Sequence, residues 1–154
     1  MTLTFYFKGV TSHKFSKGLI SGSGGLVQEG QPGNSVFVVE GPETGATIAA
    51  TVATPEDTVI ASLSLANLDS LGKLIQSFDP VRVLFAADND RDNPTANKAL
   101  DKAFAGIKTD LTAQGISVRL VKPEVPGLKS SKCDWNDLLK HEGPDAVIEQ
   151  IDIY

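Results

Sequence analysis

From Ser35 onward the chain alternates strand-like with helix-like text, and this alternation constrains the fold more than any other feature. Strand-like runs stand at 36–40 (VFVVE), 58–63 (TVIASL), 81–87 (VRVLFAA) and 117–121 (SVRLV). Helix-like runs fill the gaps at 44–53, 67–78 and 95–114. Strands that alternate with helices predict an α/β fold: a central parallel sheet of about four strands with helices on both faces. Near the end, DWNDLLKHEG at 134–143 reads as a short helix stopped by glycine, and Pro144 can open another over DAVIEQI.

The segment 95–114 carries the clearest helical signal. Ala96, Leu100, Ala103, Ile107 and Leu111 keep a helical spacing, Asn93 and Pro94 suit the N-cap and first helical position, and Gly115 suits the end. Before residue 35 the grammar differs. LTFYF at 3–7, then GLI and GGLV around the turn-rich SGSGG at 21–25, read as short β segments. The expected organisation is a small N-terminal β extension over 1–34 and one compact unit over 35–154.

With 154 residues, 41% of them hydrophobic and 21% charged, the chain can bury a single-domain core. Its longest apolar runs fall short of the roughly 20 residues that cross a bilayer. The opening MTLTFYFKGV lacks the basic and apolar regions of a signal peptide. No membrane association is expected, and a cytoplasmic location is. The single cysteine, Cys133, excludes an internal disulfide and a multi-cysteine zinc site. The formal charge of −5 supplies no general basic field for a phosphate backbone, so any nucleic acid would be met through a local site, bound cations or a partner domain.

In an open α/β sheet, ligands bind beyond the carboxyl ends of the strands. Two of the strands here end in acids: the first delivers Glu40, followed by Gly41, and the third delivers Asp88 and Asp90. If those strands are neighbours, the three carboxylates face one crevice, where divalent cations offset their repulsion. Magnesium suits hard oxygen ligands, and its presence points to phosphoryl or nucleotidyl transfer. Acids also make turns and cap helices, so Asp88 or Asp90 taken singly decides nothing. A dinucleotide-binding reading fails on the first strand-to-helix turn, EGPETG, which lacks G-x-G-x-x-G; no Walker lysine motif is present, and GSGG at 22–25 lies among β segments.

VVEGPETG and LFAADND, in this order, resemble the two halves of the Toprim signature shared by primases, type IA and type II topoisomerases and some nucleases. The likeness is greatest to the Toprim subgroup of plasmid and phage primases and of primase-like or relaxase proteins of conjugative mobile elements. There the first strand reads like EGxETA, the second is followed by a segment like LSAGNL, here LSLANL at 63–68, and the end reads like GKDWNDLL, here SKCDWNDLL at 131–139. The resemblance runs from about Gly18 to Gly143. It implies that Glu40 acts as general acid or base, or as a metal ligand, in nucleotidyl transfer, while Asp88 and Asp90 hold Mg2+, with Mn2+ as a substitute. Asp134 and Asp137 match the terminal acidic motif beside the same site, and Asp92 adds another acid. It further implies a domain cut from a larger protein that meets DNA or nucleotides through other modules. Two departures stand out: RDNPTANKA replaces a glycine-bearing loop after the second motif, and Cys133 separates Lys132 from Asp134. They keep two alternatives open, a non-catalytic docking module in a DNA-transfer assembly and a nuclease of the same fold.

The remaining chemistry-bearing residues read more plainly. Lys129 and Lys132 could meet a phosphate or simply stand on a solvated loop. Glu43 suits the first turn of a helix. His13 and His141 have no ligand spacing around them. Trp135 is expected to anchor its short helix, and Cys133, without a placed histidine, is a poor nucleophile. Ser62 and Ser64 follow the second strand toward the functional edge, and no role is assigned to them.

Overall fold

The computed structural model of the protein describes residues 22–152. Five strands form the main sheet: β1 (Gly25–Gln28), β2 (Ser35–Val39), β3 (Thr58–Ala61), β4 (Arg82–Ala86) and β6 (Ser117–Val121), in the order β1-β3-β2-β4-β6. A two-stranded ribbon of β5 (Asn89–Asp90) and β7 (Lys132–Cys133) stands apart from it. β2, β3, β4 and β6 run parallel, and β1 lies antiparallel on β3. The helices are α1 (Pro42–Thr51), α2 (Gly72–Gln76), which continues a 3₁₀ segment at Leu65–Leu71, α3 (Pro94–Thr112), α4 (Trp135–Glu142) and α5 (Pro144–Asp152).

The pleat of the sheet sorts its side chains into two cores. Phe37, Val39, Leu84 and Ala86 pack with Ile48 of α1, Trp135 and Leu138 of α4, and Val147 and Ile151 of α5. Their neighbours Val36, Val38, Val83 and Phe85 point the other way, onto Leu68, Leu71 and Ile75 and onto Leu100, Ile107 and Leu111 of α3. With both faces covered, every residue of β2 is buried, which is why its text is continuously apolar rather than alternating. α3 follows the anticipated pattern: the Asn93 side chain accepts from the Ala96 amide at 3.0 Å, Pro94 opens the helix, and Gly115 takes φ of +80° beyond its end.

The structure differs from the sequence reading in three places. The helix expected over 67–78 is a 3₁₀ segment that becomes a short α-helix at Gly72. Gly25–Val27 of GGLV do enter a strand, β1, and this strand joins the main sheet on β3; LTFYF and GLI lie outside the described residues. The β5–β7 ribbon was not anticipated, because two-residue strands carry no periodicity to read. One glycine explains how tightly α1 sits: a Cβ at Gly45 would lie 2.8 Å from Val27 Cγ2 of β1. Among the described residues no helix is long and apolar enough to cross a membrane.

This strand order fixes where a ligand can bind. From β2 the chain passes through α1 to β3 on one side, then crosses back to β4 on the other. The carboxyl end of β2 is therefore the point where the order reverses, the usual crevice of open α/β sheets.

Candidate functional site

Hydrogen bonds fix the chain at the ends of β2 and β4, where the first acids of this crevice stand. Val39 of β2 stands opposite Ala86 of β4, so Glu40 and Asp88 emerge at the same edge of the sheet. Two amides beyond β3 secure the end of β2: Ser62 donates to the Val39 carbonyl at 2.7 Å and Leu63 to the Glu40 carbonyl at 2.9 Å. Leu63 does so with φ of 70°, a conformation bulky residues rarely adopt. Asp88 follows a residue pinned from two sides, since the Ala87 amide donates to Val121 at 3.0 Å and the Trp135 indole donates to the Ala87 carbonyl at 3.2 Å. Trp135, fully buried, is thus both the anchor of α4 and a support for the acidic loop.

The resulting cleft is lined by polar and apolar residues. Glu40, Asp88, Asp90, Ser62, Asn97 and Lys132 are the polar ones, and Leu65, Leu68, Phe85, Ala96 and Leu100 are among the apolar ones. About 90 Å³ lies between them, room for several waters or a hydrated ion. The ribbon supplies the lysine. Asp90 pairs with Lys132 and Asn89 with Cys133, and the Arg91 amide donates to the Ser131 carbonyl at 2.7 Å, which brings Lys132 Nζ to 3.2 Å from Asp88 Oδ2.

Asp88 is the most perturbed acid here. Its side chain is only 14% exposed, and its other oxygen, Oδ1, is buried without a hydrogen-bond partner among the described residues. Burial first, and then the charge of Glu40, raise its pKa to about 6; Lys132 pulls the other way, and Asp134 adds to the rise. Burial alone would lower the Lys132 ammonium, but the charge and hydrogen bond of Asp88, with Glu40 and Asp90, hold it above its ordinary value. The Cys133 thiol is pushed up by burial and donates to the Pro123 carbonyl at 3.3 Å, a core role.

The structure brings together Glu40, Asp88, Asp90 and Lys132. Asp134 lies near enough to act on Asp88, yet it is the N-cap of α4: its Oδ1 accepts from the Asp137 amide at 2.8 Å, and Asp137 Oδ2 accepts from the Asp134 amide at 3.1 Å. Asp92 and Lys129 are exposed and lie outside the cleft lining. Glu43 stands in the first turn of α1 and His141 in the last turn of α4; His13 is outside the described residues. Sequence reasoning missed Asn97, whose amide donates to the Asp90 carbonyl at 2.7 Å while its oxygen accepts from Lys122 at 2.9 Å. The signal was an asparagine one turn past the N-cap, beside the apolar stripe of α3. Ser62, buried, donates to the Ser64 carbonyl at 3.1 Å and gives the cleft a hydroxyl wall.

Among the described residues no three His, Cys, Asp or Glu side chains close around a point as a metal cage would. The donor set nonetheless suits Mg2+, which is usually held by one or two carboxylates and completed by water and phosphate oxygens. Glu40, Asp88 and Asp90 line the cleft together, and one Asp88 oxygen has no hydrogen-bond partner among the described residues, so hard oxygen donors for such an ion are gathered there.

A family model described as the Toprim domain matches residues 35–145, from the start of β2 into α5. No curated protein and no solved structure matches the chain. Toprim domains generally bind Mg2+ through acidic residues in nucleic-acid enzymes. Since the match covers most of the chain and contains both strand ends that build the cleft, the protein belongs to the Toprim domain family.

Proposed function

We propose that the cleft at the ends of β2 and β4 holds Mg2+ and supports nucleotidyl transfer or related phosphodiester chemistry, within a primase-like or relaxase-associated protein of DNA replication or conjugative transfer. The observation that carries this reading is Asp88: a mostly buried carboxylate that lines the cleft with Glu40 and Asp90 and keeps one oxygen unpartnered among the described residues. Leaving such a group unsatisfied costs stability, and a fold retains that cost most readily where a ligand removes it.

In this reading Asp88 and Asp90 hold the ion, with Mn2+ able to replace Mg2+. Glu40 either completes the ligand set or moves a proton to or from the reacting hydroxyl. When bound, the ion neutralises phosphate charge and stabilises the attacking and leaving oxygens. Lys132, half-exposed on its ribbon and paired with Asp88, lines the cleft where a phosphate oxygen would be met, and Leu65 and Leu68 add apolar lining. DNA or nucleotides are brought by other modules of a larger protein, which fits a net charge of −5.

Calorimetric titration of Mg2+ and Mn2+ into the native domain and into Asp88→Asn/Asp90→Asn tests this. Binding by the native protein, weakened about tenfold or more in the variant, supports the site. Product analysis with the parent protein then separates polymerisation from hydrolysis. Absence of binding, with full activity of the variant in the parent, defeats the proposal and favours the docking module, to which the RDNPTANKA loop already lends itself.

A further inference from the structure

We infer that Lys132 is a tethered counter-cation of the cleft: in the metal-free state its ammonium stands against Asp88 where a divalent ion would, and metal binding releases it toward the phosphate of the incoming ligand. This rests on the metal reading above and goes beyond it by giving one residue two positions and the binding equilibrium a built-in competitor.

Three observations carry the inference. First, the backbone of Lys132 is paired while its side chain is half exposed. The ribbon register, Asp90 opposite Lys132, sets the backbone at the cleft wall, yet the side chain is 52% exposed against 14% for Asp88. The acid is mostly buried, and its partner stands half exposed at the end of a flexible four-carbon stem. Second, the pairing is partial. Nζ meets Oδ2 at 3.2 Å and leaves Oδ1 buried without a described partner, so the ammonium compensates the carboxylate only on one side. An ion with several coordination positions would satisfy it better. Third, Lys132 lines the cleft together with Glu40, Asp88 and Asp90, so three carboxylates face one ammonium. A divalent cation arriving there both competes for Asp88 and repels the ammonium at close range, where Coulomb interactions are strong. Displaced, the lysine remains tethered at the mouth of the cleft, the place where a phosphate bound to that ion would present its oxygens.

The sign of the effect on metal affinity distinguishes this role from an ordinary structural ion pair. Mn2+ titrations at pH 8 with the native domain, Lys132→Met and Lys132→Arg provide the test, with thermal melts to confirm folding. Lys132→Met is expected to bind Mn2+ about five-fold tighter, the scale of one lost surface ion pair. Lys132→Arg, whose planar fork can hold both oxygens of a carboxylate, is expected to bind no tighter than native. With Mn2+ saturating, the Met variant should bind inorganic phosphate more weakly than native. Equal or weaker Mn2+ binding by Lys132→Met overturns the inference while leaving the metal site standing. If neither the native protein nor any variant binds Mn2+, the metal reading itself falls and takes this inference with it.

Discussion

Asp57 and Asp88 show how differently one residue type can be used. Asp57 accepts from the Ser35 amide at 3.0 Å and from the Thr54 amide and hydroxyl at 2.9 Å each, stitching the starts of β2 and β3 together. Asp88, at the opposite end of the sheet, keeps one oxygen unpartnered and a raised pKa of about 6. Because that value lies above the ordinary 3.8, the folded chain holds the proton more tightly than the unfolded chain. Ionisation of Asp88 therefore costs stability, a cost that grows as pH rises from about 4 and is complete above about 6. Asp88→Asn should then stabilise the metal-free domain by about 1–2 kcal/mol at pH 8 and by less at pH 5, read from thermal melts. A loss at pH 8 would mean that Lys132 already offsets the burial, and an equal gain at both pH values would mean that the gain does not come from ionisation of Asp88. Glu40 and Asp88 were legible as candidates because a strand ending in an acid is visible in text. The unpartnered oxygen was not, since it depends on what surrounds Asp88 in space.

At the scale of elements, α4 shows how one helix start can serve packing and site together. Its capping box satisfies amides that a helix otherwise leaves open, and Trp135 at its first turn supports the carbonyl before Asp88. Asp134 thus has a structural duty. Asp134→Ala should cost about 1 kcal/mol in denaturant unfolding, whereas Asp134→Asn, which keeps a capping oxygen, should stay within a few tenths of native. A large loss of Mg2+ affinity in the well-folded Asn variant would show instead that Asp134 ligates the ion. The family likeness DWNDLL made this helix recognisable, and its apolar spacing agreed. The ribbon that delivers Lys132 was illegible, because β5 and β7 are two residues each and 42 positions separate Asp90 from Lys132.

For the whole molecule, burial on two faces makes the centre of the sheet its most protected part. β2 and β4 are each flanked by strands on both sides and covered by helices above and below, while β1 is an edge and β5–β7 a ribbon outside the sheet. In native-state hydrogen exchange the amides of Val36–Val39 and Val83–Ala86 should exchange last, near the global unfolding free energy, and those of β1 and β7 well before. Early exchange in β4 would contradict the two-core architecture. The chain's text by itself determined the α/β class, the parallel strands, α3 with its caps, and the acids at two strand ends, because each is encoded over a few neighbouring residues by period, cap chemistry or apolar run. Only the tertiary structure decided that β2 and β4 are neighbours, that β1 closes one edge, that Lys132 faces Asp88 and that Asn97 supports Asp90. Those pairings join residues far apart in sequence, and they are settled by which faces can be buried against one another, a property of the assembled layers that no local stretch contains.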